Sequence, residues 1–101
     1  MAPMTPAEFR RSQSLQTPPQ ALAPPLAALW WLKKGDWDRA HKIVMDEDGR
    51  EAAWVHAHLH RIEGDASNAA YWYRQAKRPA ASGSLDEEWD AIAAALLGEG
   101  R

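Results

Sequence analysis

Two histidines four residues apart, His56 and His60, with a carboxylate three further on at Glu63, spell the pattern H-x-x-x-H-x-x-E. On a helix these positions project along one stripe, so two imidazoles and a carboxylate come within reach of a single ion. Such a set offers three ligands and leaves a fourth position for water, the arrangement of a catalytic zinc site. The stripe departs from the metalloprotease helix, in which a glutamate directly after the first histidine acts as general base, because Ala57 stands there. The same residues have a structural alternative as imidazoles hydrogen-bonded to backbone or carboxylate, or as the polar lining of a groove. The structural role is the default expectation and a divalent metal the alternative. His41 would join the pair if the helix that carries it packs on theirs, and a cluster of His41, His56 and His60 would favour metal binding or pH sensing. His58 falls on another flank beside Trp54 and Arg61, where a partly exposed ring stacked on Trp54 is expected.

Aromatic and amide side chains form a second constellation. The chain holds six Trp and two Tyr, and aromatic residues dominate interface hot spots. Trp30, Trp37 and Trp89 fall on apolar stripes and are assigned to packing. Asn68, Tyr71 and Gln75 share a helix face that the core does not need, and with Trp54 and Trp72 they make a candidate binding surface. It suits a peptide, a partner protein or a second copy of the chain. A small-molecule pocket lined by Trp54, His56, Tyr71 and Trp72 is a further option. The acidic runs Asp46-Glu47-Asp48 and Asp86-Glu87-Glu88 read as turn and helix-start chemistry. Neither has the ligand spacing of a calcium loop.

These groups need helices to hold them, and the helix boundaries are written in the chain. Residues 28–44 and 57–73 superimpose at an offset of 29, with Ala28/Ala57, Gly35/Gly64, Asp36/Asp65 and Ala40/Ala69 coinciding. Each copy reads as a helix, a Gly-Asp turn and a second helix. The glycine takes the left-handed conformation that ends the first helix and the aspartate caps the next, while the small Ala40 and Ala69 let paired helices approach. The first helix starts at Pro24 or Pro25 and buries Leu26, Leu29 and Trp30; the second buries Trp37, Ala40 and Val44. A third, over residues 51–63, has the core stripe Ala52, Val55, Leu59 and Ile62. The fourth turns Ala69, Tyr73 and Ala76 inward and stops at Arg78-Pro79. Ser84-Leu85-Asp86-Glu87 is a capping box opening a last helix with Leu85, Trp89, Ile92 and Leu96 on one stripe, an amphipathic lid over the array. Upstream, Thr5-Pro6-Ala7-Glu8 starts a short helix over residues 6–12, followed by a Pro-rich stretch. Residues 1–23 are thus an N-terminal arm with a short helix, and residues 24–98 a single α-helical domain.

Ala69, Tyr73, Ala76 and Pro79, with Gly64 before them, resemble tetratricopeptide-type and related Sel-type helical repeats, over roughly half the chain. The period of 29 is shorter than the usual length of about 34, and Val44 stands in the first copy where Tyr73 stands in the second. The string from Trp54 to Asp65, continued by residues 68–74, is similar to a group of short bacterial and fungal proteins of unassigned function, a likeness that implies no activity. The tetratricopeptide resemblance implies a scaffold presenting a concave groove to a peptide or partner protein, here a short groove of two hairpins.

The expected fold is therefore all-α, with two antiparallel tetratricopeptide-like hairpins, a C-terminal amphipathic capping helix and a Pro-rich N-terminal arm. With 101 residues, 46% of them hydrophobic, the chain can bury one modest core. A net charge of −2 supplies no basic footprint for a phosphate backbone, so no nucleic-acid partner is expected. The most apolar run, residues 22–32, is interrupted by Pro24 and Pro25 and is too short to cross a bilayer. No membrane partner is expected, and the absence of cysteine and of a secretory leader points to the cytoplasm. The leading functional expectation is a protein or peptide interaction module, which includes self-association. The alternatives are a metal-binding protein or small hydrolase using His56, His60 and Glu63, and a small-molecule-binding helical domain. No signature names a reaction, so the chain leans away from an enzyme. No cofactor is expected except a divalent metal under the first alternative.

Overall fold

The computed structural model describes residues 4–98, and all regular secondary structure among them is helical. The first three residues of the arm, 1–3, lie outside the described residues. In order the helices are α1 (Pro6–Arg11), α2 (Pro24–Lys33), α3 (Trp37–Met45), α4 (Arg50–Ile62), α5 (Ala66–Ala76) and α6 (Leu85–Leu96), with a 3-10 turn at Ser12–Ser14. Their starts follow local chemistry. The Thr5 hydroxyl accepts from the Glu8 amide at 3.1 Å while the Glu8 carboxylate accepts from the Thr5 amide at 2.8 Å, a reciprocal box that satisfies two otherwise unpaired donors. Ser84 and Glu87 repeat it at 3.0 and 2.8 Å.

The 29-residue echo builds two turns of the same chemistry. Gly35 and Gly64 follow α2 and α4 with φ of +92° and +84°, a region costly for any residue with a Cβ. Asp36 and Asp65 then accept from the amides of Arg39 and Asn68 at 3.1 and 3.2 Å. With these short turns α2 packs on α3 and α4 on α5; α4 also touches α2, α3 and α6 and is the central helix. Leu29, Trp30, Val55, Leu59 and Ile92 are fully buried around it, as is Ala40.

Two stripe residues depart from expectation. Ile62 and Leu85 are 36% and 40% exposed. Ile62 is the last residue of α4 and Leu85 the first of α6, so each stands where the neighbouring helix no longer covers it. The arm contributes to the core. Phe9 of α1 is fully buried and stacks on Trp89 with ring centroids 5.5 Å apart. The Trp30 indole donates to the Ser12 hydroxyl at 2.9 Å, and the Gln13 amide donates to the Trp30 carbonyl at 3.2 Å. Leu22 packs partly against the core, whereas Leu15 is exposed. No helix of the described residues is long and apolar enough to cross a membrane.

Candidate functional site

The packing of α3 on α4 sets His41 opposite His56 and His60. One ring nitrogen from each of the three lies within 4.8 Å of the other two, and the Nε2 atoms of His41 and His56 are 3.1 Å apart. His56 and His60 are buried and His41 is half-buried. Aromatic rings brace the cluster from two sides: Trp72 of α5 stacks on His56 at 3.9 Å with nearly parallel planes, and Trp37 stacks on His41 at 4.7 Å. Trp37 is itself fixed, its indole donating to the Leu59 carbonyl at 2.9 Å. Behind the trio, His60 Nδ1 donates to the Glu63 carboxylate at 2.5 Å.

This environment decides protonation. Burial, reinforced by the neighbouring His41 and His60, pulls the His56 imidazole down to about 4. Burial and then His60 lower His41 as well. Both rings are neutral near pH 7, the form that ligates metals. The hydrogen bond to Glu63 holds a proton on His60 Nδ1. Two nitrogens bound tetrahedrally to zinc lie about 3.3 Å apart, close to the 3.1 Å between His41 and His56. The third, within 4.8 Å, would have to close by up to about 1.5 Å.

The candidate residues are thus sorted by the tertiary structure. His41, His56 and His60 come together; Glu63 groups with His60 and Asp65 instead of with His56. Of the candidate binding surface, Tyr71, Trp72 and Gln75 line a cleft of about 380 Å³ whose inner wall includes His56. Tyr71 is exposed and sits edge-on to Trp72 at 5.0 Å. Asn68 is exposed and donates to Asp65 at 2.9 Å. Trp54 lies on a different side, half-buried beneath the Arg78 guanidinium, 4.0 Å above its ring.

His58 corrects the sequence reading. It is 1% exposed, and its Nδ1 donates to Glu88 at 2.6 Å instead of its ring stacking on Trp54. Glu88, read in the sequence as part of a helix-start acidic run, is 6% exposed. It also accepts from Arg61 at 3.0 Å and from the Tyr73 hydroxyl. Burial alone would raise the Glu88 carboxyl, but the hydrogen bonds from His58 and Tyr73 and the nearby positive charge outweigh it and hold it below the usual range. Burial and the Glu88 carboxylate push the Tyr73 phenol upward. One signal was available: Glu88 falls between Leu85 and Ile92 at helical spacing, on the apolar stripe of α6 itself.

Comparison with protein-family models, curated proteins and solved structures finds no match to the chain.

Proposed function

We propose that the protein binds a divalent transition metal of the zinc type through His41, His56 and His60. The observation that carries this reading is the convergence of three imidazole nitrogens within 4.8 Å from two different helices. Imidazole suits zinc, copper, nickel and iron. A carboxylate behind a ligating histidine, as Glu63 stands behind His60, orients the ring and raises its basicity. Three protein ligands leave room for water in the fourth position. Bound metal would tie α3 to α4 and so pin the first hairpin to the second.

The test is a zinc titration of untagged, chelator-stripped protein against a competing chromophoric chelator. One equivalent should bind. At a free zinc concentration of a hundred dissociation constants the fold gains about 2.7 kcal/mol, raising Tm by roughly 10–20 °C for a domain of this size. The His56→Ala/His60→Ala double variant should lose both effects. Absence of stoichiometric binding by zinc, cobalt, nickel and copper alike would sink the proposal.

A second reading keeps the interaction module. On it, α2–α3 and α4–α5 are two tetratricopeptide-like hairpins, α6 is their cap, and a protein or peptide docks at the cleft beside Tyr71 and Gln75. It is supported by the repeated Gly-Asp turns and by the exposure of Tyr71 and Met45 at that cleft. Sedimentation analysis tests its self-association form: a monomer at high concentration, unchanged by Tyr71→Ser, removes that form.

A further inference from the structure

Three helix ends meet around a second cleft, of about 410 Å³. The start of α4 supplies Arg50 and Glu51, the end of α5 leads into Lys77 and Arg78, and the end of α6 contributes Leu96. Arg50, Lys77 and Arg78 are exposed and enter no ion pair among the described residues. Glu51 is the one acidic side chain among the described residues that line the cleft. Three cations against one carboxylate leave an excess of two positive charges there, in a chain whose net charge is −2.

Two of these cations are placed by specific features of the fold. The Arg78 guanidinium lies 4.0 Å over the Trp54 ring, a stack that holds the planar group in position without neutralising it. Lys77 ends α5 in the left-handed region, at φ +57°. The ends of α2, α4 and α6 are each followed by a glycine of positive φ, Gly35, Gly64 and Gly98. At α5 a residue with a Cβ takes that conformation at a steric cost. The chain thus keeps a cation beside the cleft where glycine would end the helix without strain.

We propose that this cleft binds the phosphate group of a small soluble phosphate monoester through Arg50, Lys77 and Arg78. Charge sets the first limit: such a group carries about −1.5 to −2 at pH 7, which matches the excess in the lining. Donor geometry sets the second, since guanidinium forks fit phosphate oxygens and a lysine adds a point charge. Size sets the third, because small-molecule pockets begin at about 300 Å³ and this one holds about 410 Å³. Trp54, Ala76 and Leu96 give the organic part of the ester an apolar floor. An extended polyanion or an anionic membrane is disfavoured by the surroundings. Glu47 and Asp48 line the adjoining cleft together with Arg50, so a long anionic ligand would meet like charges as soon as it left the three cations. None of His41, His56 and His60 lines this cleft, and the proposal stands without the metal.

The test is a titration of ¹⁵N-labelled protein with phenyl phosphate, in EDTA so that a failure of the metal reading leaves the result intact. Benzenesulfonate, a monoanion of similar shape, is the comparison at equal ionic strength. Phenyl phosphate should shift the Trp54 indole and the Arg50 and Arg78 side-chain signals and leave the Trp37 indole unmoved. Benzenesulfonate should bind about tenfold more weakly, the loss expected for one charge-assisted hydrogen bond. Arg78→Ala should weaken phenyl phosphate by a similar factor. Lys77→Gly removes a cation and the left-handed strain together, so it should weaken binding about tenfold without lowering Tm, a combination that a purely structural role for Lys77 would not give. Glu51→Gln, which removes the opposing charge, should strengthen binding. No shift of Trp54 at millimolar phenyl phosphate, equal affinity for benzenesulfonate, or unchanged affinity in both Arg78→Ala and Lys77→Gly would each overturn the proposal. Capture on phosphatidic acid vesicles without binding of phenyl phosphate would overturn it in favour of a lipid.

Discussion

Mild acid should destabilise the metal-free protein well before its carboxylates titrate. The responsible group is His56, which burial and the adjacent His41 and His60 hold at about 4 against an ordinary value of 6.5. As pH falls below 6.5 the unfolded chain takes up a proton that the folded state refuses, so stability drops from 6.5 down to about 4 and then levels off. The full gap corresponds to about 3 kcal/mol, of which about 2 kcal/mol appears between pH 7 and pH 5. His41, also lowered, adds in the same direction. Glu8, Asp65, Glu87 and Glu88 lie below the usual carboxylate range. Their stabilisation is fully present above that range and is lost only as pH falls through it, a separate and lower window. Urea denaturation followed by tryptophan fluorescence in EDTA at pH 7, 6 and 5 measures the effect, which also equals a Tm shift of roughly 8–16 °C. His56→Phe should flatten the profile above pH 5. Equal stability at pH 7 and pH 5, or a slope unchanged in the His56 variant, would refute the reasoning.

Four further outcomes follow from the same structure. Glu88→Ala should destabilise by about 3–5 kcal/mol in urea, because it leaves the buried His58 and Tyr73 and the Arg61 charge without their acceptor. Asp90→Asn on the same helix, whose contact with Arg10 is exposed, should change stability by less than about 1 kcal/mol. Phe9→Ala should lose about 3–5 kcal/mol and alter the near-ultraviolet signal of Trp89, since Phe9 is fully buried against it; a silent variant would show that the arm is dispensable. Gly64→Ala should lower Tm by several degrees through left-handed strain of about 1–2 kcal/mol at φ +84°, although a methyl group there meets no neighbour.

What was legible beforehand is local. The capping boxes at Thr5 and Ser84 and the Gly-Asp turns at residues 35–36 and 64–65 rest on hydrogen bonds spanning three residues. Those contacts hardly depend on the rest of the fold. The helix stripes also transferred, except at Ile62 and Leu85, where helix ends escape coverage. Glu88 was hidden because an acidic residue in a first turn has a ready local explanation in the helix dipole. Its burial depends on three donors brought in from α4 and α5.

By itself the sequence determined the helices, their caps and the one-face spacing of His56 and His60, since short-range geometry dictates all three. The tertiary structure alone decided that His41 meets that pair, from 15 residues away, and that His58 turns from Trp54 to a carboxylate 30 residues on. The physical reason is rotational. A helix of known stripe can still turn about its axis and shift along its neighbour until side chains interdigitate, and a rotation of one position exchanges which of two adjacent histidine faces meets a partner.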